Sequence, residues 1–213
     1  MFARFVVAVM AMVVVVTASN ILVQYPVQFD LGPLHLADIL TWGAFTYPFA
    51  FLVSDLTNRH DGPNRARFVV LAGFLVGLAL SFWLSTPRIA IASGSAFLIG
   101  QLLDIAVFQR LRNRYWLIPP LSASLFGSLL DTLIFFSIAF APAFAVVDGS
   151  FGMEDGSLGF AAPWLGIGTD VPLWLSLASG DFAVKFLAAL LLLAPYRVLM
   201  GRIMPLPAPT PAG

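Results

Sequence analysis

Ionisable and amide side chains occur in the middle of three long apolar segments in the second half of this sequence. Gln101 and Asp104 are three residues apart, and Asp181 and Lys185 are four apart. Both spacings place two side chains on one face of a helix. Asp131 lies near the middle of the segment between them. A charge at the centre of a bilayer costs at least about 2.5–3.5 kcal/mol, so such groups persist where they are paired, reach water or bind a ligand. Their similar depth predicts a midplane binding site.

Further candidates offer hydrogen bonds or aromatic surface. Ser124 lies two helical turns before Asp131 and belongs to the same polar stripe. Asn20 stands at the end of the first apolar segment, where it either caps the helix or closes the site from the outside. Trp42 and Phe45 either anchor the second segment at the membrane interface or stack on a planar ligand. Both interpretations of this aromatic pair stay open.

Two acid–base pairs have a structural alternative. Asp181 and Lys185 either form a self-satisfied pair inside the bundle or belong to the binding site. Asp55 lies at the end of the second apolar segment, and Arg59 follows one turn later. This spacing favours an interfacial ion pair that anchors the helix.

Several chemistries are excluded or disfavoured by composition. The chain has no cysteine, only two histidines and a net charge of zero, so neither a metal site nor nucleic-acid binding is expected. Lys185 is the only lysine and no phosphate-binding GxxxxGK motif occurs, so we expect no nucleotide cofactor. No histidine lies at membrane depth as a base for serine chemistry. Asp104 and Asp131 lack the Gly-Asp signature of intramembrane aspartyl proteases. An enzyme is therefore not expected.

The elements that carry these residues are transmembrane helices. Of the 213 residues, 60% are hydrophobic and 10% are charged, where a soluble domain carries about 25% charged residues. A helix of about 20 apolar residues crosses a bilayer. The sequence therefore predicts an all-α bundle of six transmembrane helices forming one domain over residues 1–204, with a disordered cytoplasmic tail over 205–213. The predicted helices cover residues 5–22, 39–56, 68–84, 89–111, 117–140 and 173–200.

Basic residues predict the orientation. With six crossings, nine of the ten arginines fall on one side, and the opposite side holds Arg88 and most of the acids. By the positive-inside rule, both termini are cytoplasmic in a multi-pass inner-membrane protein. In the third helix, Gly73 and Gly77 form a GxxxG motif, which serves either packing within the chain or a homodimer.

The polar positions lie inside longer strings that resemble the queuosine precursor transporters, a family similar to the vitamin uptake transporters. These strings are TASNILVQYPV (17–27), LTWGAFTYPFAFLVSDLTNR (40–59), IGQLLDIAVFQRLR (99–112), SASLFGSLLDTLIFFSIAF (122–140) and DFAVKFLAALLLLAPY (181–196). They occur in the expected order on five of the six predicted helices. The third helix and the long connection 142–172 carry no such string.

The resemblance implies uptake of 7-cyano-7-deazaguanine (preQ0), and of 7-aminomethyl-7-deazaguanine (preQ1) as a second substrate, for the queuosine modification of tRNA. A planar deazaguanine has two adjacent N–H donors, which a carboxylate such as Asp104 or Asp131 accepts in a bidentate manner. Gln101, Asn20, Ser124 or Lys185 would donate to its carbonyl, and Trp42 or Phe45 would stack on its ring. The alternatives are a carrier for another nucleobase or vitamin-like heterocycle and a membrane scaffold that transports nothing.

Overall fold

A computed structural model describes residues 2–32, 34–36 and 40–203. Within them the protein is almost entirely helical. The helices are α1 (Phe2–Leu22), α2 (Gly43–Thr46), α3 (Pro48–Asp61), α4 (Pro63–Leu84), α5 (Pro87–Leu111), α6 (Ile118–Phe140), α7 (Ala145–Ser150) and α8 (Leu173–Ile203). Two short hairpins pair β1 (Asp30–Leu31) with β2 (Leu34–His35) and β3 (Ala161–Pro163) with β4 (Asp170–Pro172), both antiparallel. The predicted tail 205–213 lies outside the described residues.

Five of the described helices, and not six, are long and apolar enough to cross a membrane: α1, α4, α5, α6 and α8. The all-α, multi-pass membrane fold is confirmed, and these five helices match five of the six predicted segments closely. The remaining predicted segment, 39–56, which is the second in the sequence, was wrong as one continuous helix. Its first residue lies outside the described part of the chain, and the helical part begins only at Gly43.

The second predicted segment divides because of its backbone chemistry. Leu40 accepts a backbone hydrogen bond from Val27, so this stretch pairs with the chain after α1 before any helix begins. Pro48 has no N–H for the carbonyl four residues earlier, which separates α2 from α3 at Tyr47. Together α2 and α3 cover a path of ~28 Å at about 1.5 Å per residue. The result is a discontinuous helix of the kind that builds transporter binding sites.

The closest helix crossing joins α5 to α6, the most extensive helix pair in the bundle. A Cβ atom on Gly100 would lie 2.9 Å from Cβ of Asp131, and one on Gly127 would lie 3.1 Å from Cβ of Asp104. Neither position has room for a side chain, so the two backbones touch here. This crossing fixes Asp104 and Asp131 on either side of the same contact.

The GxxxG motif of α4 packs within the chain. A Cβ atom on Gly73 would meet Cγ of Met12 at 2.6 Å, and one on Gly77 would meet Val16 at 2.8 Å. Helix α1 therefore occupies this face. A homodimer stays a prediction, but the motif no longer supports it.

The connection between α6 and α8 is held by a buried arginine. Arg88, at the start of α5, donates to the Asp148 carboxylate at 2.6 Å and to the carbonyls of Ile138 at 2.7 Å and Ala141 at 2.6 Å. Asp155 lies 3.5 Å from the same guanidinium. Hydrogen bonds from Ser157, helped by Arg88, lower the pKa of the Asp155 carboxyl below its usual value. The only arginine on the acidic side thus ties the long connection to the bundle.

Candidate functional site

A buried charged layer lies at the middle of the bundle, where α6 and α8 face each other. Lys185 Nζ lies 2.7 Å from Asp131 Oδ2 and 2.5 Å from Asp181 Oδ2. Lys185 and Asp131 are almost completely buried, whereas the Asp181 side chain is 15% exposed. The layer therefore joins the predicted pair within α8 to the acid of α6. Both predicted roles of Asp181 and Lys185, structural and ligand-binding, are compatible with this geometry.

Two neutral hydroxyls complete the layer. Tyr47, at the break between α2 and α3, donates from its hydroxyl to Asp131 Oδ1 at 2.9 Å. Its ring also lies 5.1 Å from Lys185 Nζ, within cation–π distance. Thr132 donates to Asp181 Oδ2 at 2.8 Å. Both oxygens of Asp131 are thus occupied by protein donors.

Asp181 has one carboxylate oxygen without a protein hydrogen-bond donor, whereas both oxygens of Asp131 are occupied. Its Oδ2 is held by Thr132 and Lys185, and no hydrogen bond from the described residues reaches its Oδ1. With all three groups ionised, two carboxylates face one ammonium, which leaves one negative charge. Asp181 is therefore the group of the layer that can accept hydrogen bonds from a ligand.

A cavity of about 420 Å³ lies directly above the layer, within the range of about 300–1,000 Å³ typical of small-molecule sites. Asp131, Asp181, Lys185 and Tyr47 form its floor. Its walls reach the end of α4 and the ends of α1 and α6 that lead into the acidic connections. Polar wall residues are Ser19, Asn20, Gln24, Thr41, Ser81, Ser85 and Ser93, and aromatic ones are Phe135, Phe136 and Phe140.

On the opposite side of the layer the bundle is nearly closed. A crevice of about 20 Å³, enough for about one water molecule, runs from Lys185 between α3, α6 and α8. Asp55, Ser124, Ser128 and Tyr196 line it. The layer thus separates an open cavity from a narrow crevice.

Four of the predicted site residues meet at the cavity: Asn20, Asp131, Asp181 and Lys185. Asn20 lines the cavity wall, and its role as a cap of α1 or as a closure of the site stays a prediction. Its amide donates to the Val16 carbonyl at 3.0 Å and accepts from the Ser81 hydroxyl at 2.7 Å, which joins α1 to α4 along the wall.

The other predicted residues lie elsewhere. Gln101, Asp104 and Ser124 are buried and do not line the cavity, and Ser124 lines the crevice instead. Trp42 and Phe45 are 48% and 39% exposed, with ring centroids 5.8 Å apart, and they also lie outside the cavity. Their exposure favours an interface anchor, and stacking on a ligand stays an untested prediction.

The predicted ion pair between Asp55 and Arg59 is not formed. No basic group of the described residues lies within 4.0 Å of the Asp55 carboxylate, and Nη1 of Arg59 has no hydrogen-bond partner there. Asp55 is 2% exposed, and the preceding Ser54 donates to Asp104 Oδ2 at 3.3 Å. A spacing of one helical turn would allow Asp55 and Arg59 to form an ion pair, but the packing of α3 against α5 turns the Asp55 side chain inward.

Sequence reasoning missed Tyr47, Thr132 and the serines of the cavity wall. Tyr47 stands directly before Pro48. A proline that interrupts a membrane helix often marks a binding site, so the polar aromatic residue next to it could have been predicted as a site residue. Thr132 follows Asp131 in the chain, and serine or threonine in an apolar helix usually satisfies itself with the backbone, so its type gave no signal.

Comparisons with known proteins identify the family of this chain. The family model described as a putative vitamin uptake transporter matches residues 41–86 and 80–200, well over half of the chain. The queuosine precursor transporter of Escherichia coli (strain K12) is 40% identical over 147 aligned positions, covering 59% of this chain and 64% of that protein. A probable queuosine precursor transporter of Haemophilus influenzae is 37% identical over 153 positions, covering 59% and 65%.

A probable queuosine precursor transporter of Bacillus subtilis (strain 168) is 29% identical over 129 positions, covering 47% of this chain and 56% of that protein. The chain thus spans less than two thirds of the length of these curated relatives. No solved structure matches it. The match to the family model, over the helices that form the charged layer and most of the cavity, shows that the chain belongs to the family of putative vitamin uptake transporters.

Proposed function

We propose that this protein imports a queuosine precursor, 7-cyano-7-deazaguanine or its 7-aminomethyl counterpart, across the inner membrane. The observation that carries the proposal is the position of Asp181, which lines a cavity of ligand size and has one oxygen that accepts no hydrogen bond from the described residues. The names of the similar proteins support the same substrate class.

The chemistry of the cavity fits a deazaguanine. One of its N–H donors matches the free Oδ1 of Asp181, an acid that the sequence alone did not distinguish from Asp131 or Asp104. The rings of Phe135 and Phe136 line the wall and offer apolar faces to a planar base. The residual negative charge of the layer also attracts the ammonium of the aminomethyl precursor. A carboxylate at the floor and aromatic rings on the wall therefore take the roles expected for Asp131 and Trp42.

The orientation of the bundle makes this cavity the external opening. The cavity lies toward the connections rich in acids, whereas the crevice lies toward Arg59, Arg110 and Arg112. By the positive-inside rule the crevice side is cytoplasmic. The discontinuous α2–α3 then supplies the sixth crossing, with both termini cytoplasmic. Transport requires the cavity to close and the crevice to open around the charged layer.

Uptake of labelled 7-cyano-7-deazaguanine by cells that lack their own precursor carrier tests the proposal. We expect uptake with the wild-type chain and at least a tenfold loss with Asp181→Asn, because a neutral amide replaces the charged acceptor that the ligand's N–H donor would use. Trp42→Leu is the matched control, since it alters a residue outside the cavity and should transport normally. Normal uptake by Asp181→Asn at equal expression would contradict the proposed site.

The family description favours a second candidate, uptake of a vitamin-like heterocycle. Competition during the uptake assay separates the two. If unlabelled 7-cyano-7-deazaguanine competes and vitamins do not, the first candidate stands. The reverse order would support the second.

A further inference from the structure

We propose that the crevice on the cytoplasmic side of the charged layer is a second binding site for the transported base, closed in this structure. When it opens, Asp55 accepts a hydrogen bond from an N–H donor of the base, and the Tyr196 hydroxyl donates to the ring carbonyl. This inference rests on the proposed transport function and deepens it, because it names the residues that hold the base on its way to the cytoplasm.

The cavity and the crevice meet at one side chain. Lys185 is the only described residue that lines both spaces. Its ammonium is bound to Asp131 and Asp181 in the cavity floor. From there the crevice lining continues along α8 through Ala189 to Tyr196, a path of about 16 Å at about 1.5 Å per residue. The two spaces are therefore successive parts of one path through the bundle, with the lysine side chain between them.

Two polar groups of the crevice lack a partner in the closed form. The described part of the chain has six buried polar side-chain atoms without a hydrogen-bond partner, and none belongs to a residue that lines the cavity. Two of them belong to residues that line the crevice, Oδ1 of Asp55 and the hydroxyl of Tyr196. These residues are 2% and 1% exposed. Because an unpaired buried polar group costs free energy, both groups point to a partner that is bound in another state.

The nearby cations do not occupy Asp55. Lys185 lines the same crevice, but its ammonium lies between the two acids of the charged layer. Arg59 follows Asp55 by one turn, and its carbonyl accepts from Arg112 at 2.8 Å. Among the described residues neither arginine forms a salt bridge with the Asp55 carboxylate. Oδ1 of Asp55 is thus available as an acceptor for a ligand.

The two groups match the edge of a planar deazaguanine. A carboxylate oxygen accepts from an N–H group, and a phenol hydroxyl can donate to a carbonyl. The Tyr196 ring packs against Phe108 and Ala123, which fixes the position of its hydroxyl. A base that carries an N–H donor next to a ring carbonyl can therefore use Asp55 and Tyr196 together. This is the same edge of the base that Asp181 would bind in the cavity.

The walls of the crevice have places where they can bend. A volume of about 20 Å³ does not admit a base, so the walls must move apart. Pro195 lies inside α8 directly before Tyr196, and it has no N–H for the Leu191 carbonyl. Leu191 is 75% exposed, so the described residues leave room for an outward bend of α8. Pro48 and Pro120 line the crevice from the first turns of α3 and α6.

The first test is Tyr196→Phe, because this hydroxyl has no protein partner to lose. We expect the same rise in unfolding temperature with 7-cyano-7-deazaguanine as in the wild type, since Tyr196 does not line the cavity. Uptake should fall at least about fivefold, because the base loses one hydrogen bond on its path. Tyr115→Phe changes an exposed tyrosine and is the matched control, which should equal the wild type in both measurements.

The second test distinguishes a binding site from a gate. Right-side-out membrane vesicles are loaded with increasing concentrations of labelled 7-cyano-7-deazaguanine, and its efflux is followed. In Tyr196→Phe and in Asp55→Leu, which removes the acceptor, the internal concentration for half-maximal efflux should rise at least about fivefold. The external concentration for half-maximal uptake should stay at the wild-type value, because the cavity is unchanged. A gate that binds nothing would lower the maximal rate alone.

Wild-type uptake and efflux in both variants would overturn the second site and leave the proposed function standing. The crevice would then hold no more than a water molecule. A lower maximal rate with an unchanged half-maximal internal concentration would also overturn it. If one variant fails to fold, the other decides, since each removes a different contact to the base. Absence of both binding and uptake in the wild type would overturn the proposed function itself, and the second site with it.

Discussion

Replacing Lys185 with methionine is expected to lower the free energy of unfolding by about 3–5 kcal/mol and to abolish uptake. Methionine has a similar length but no charge, so Asp131 and Asp181 would face each other across the layer without their cation. Hydrogen bonds from Tyr47 and Thr132 would remain, but they do not supply a positive charge. The measurements are the unfolding equilibrium in detergent and the uptake of labelled precursor.

A second substitution separates stability from function. Lys185→Met combined with Asp131→Asn leaves one acid in the layer instead of two, so it should recover part of the lost stability without recovering uptake. Arg110→Met removes an exposed charge from α5 and serves as the control for charge loss alone. Stability equal to the wild type in the single variant would mean that the layer is not a buried charge network.

Replacing Arg88 with methionine is the second change with a large expected effect, a loss of about 3–5 kcal/mol in the free energy of unfolding. This arginine is 1% exposed. It donates to the Asp148 carboxylate and to the carbonyls of Ile138 and Ala141 at the end of α6. Its loss would leave these acceptors buried and unpaired. The connection between α6 and α8 should also become sensitive to added protease.

Two controls define the role of Arg88. Arg88→Lys keeps the charge but not the planar fork that reaches several acceptors, so an intermediate loss is expected. Arg114→Met, at an exposed arginine, should have no effect. If Arg88→Met unfolds like the wild type and resists protease equally, the arginine does not anchor the connection.

The sequence predicted the parts of the fold that follow from composition and length. Uninterrupted apolar runs defined α1, α4, α5, α6 and α8 because a bilayer demands about 20 such residues in each helix. The predicted second helix was too long, because hydropathy alone does not show that Leu40 pairs with Val27 through the backbone. It also does not register the N–H missing at Pro48.

The site was predictable only in part, for a related reason. Spacing within a helix put Asp181 and Lys185 on one face, and the structure adds Asp131 from the neighbouring helix. Depth alone cannot show which side of a helix crossing a residue occupies. Asp104 and Asp131 differ little in predicted depth, but the Gly100–Gly127 contact lies between them, and of the two only Asp131 lines the cavity.

The most direct test of the central proposal is transport by the purified chain alone in liposomes. We predict saturable accumulation of labelled 7-cyano-7-deazaguanine that is lost with Asp181→Asn and kept with Trp42→Leu. Accumulation no faster than in protein-free liposomes, with the reconstituted protein shown to be folded, would contradict the proposal that this chain carries the precursor through its cavity.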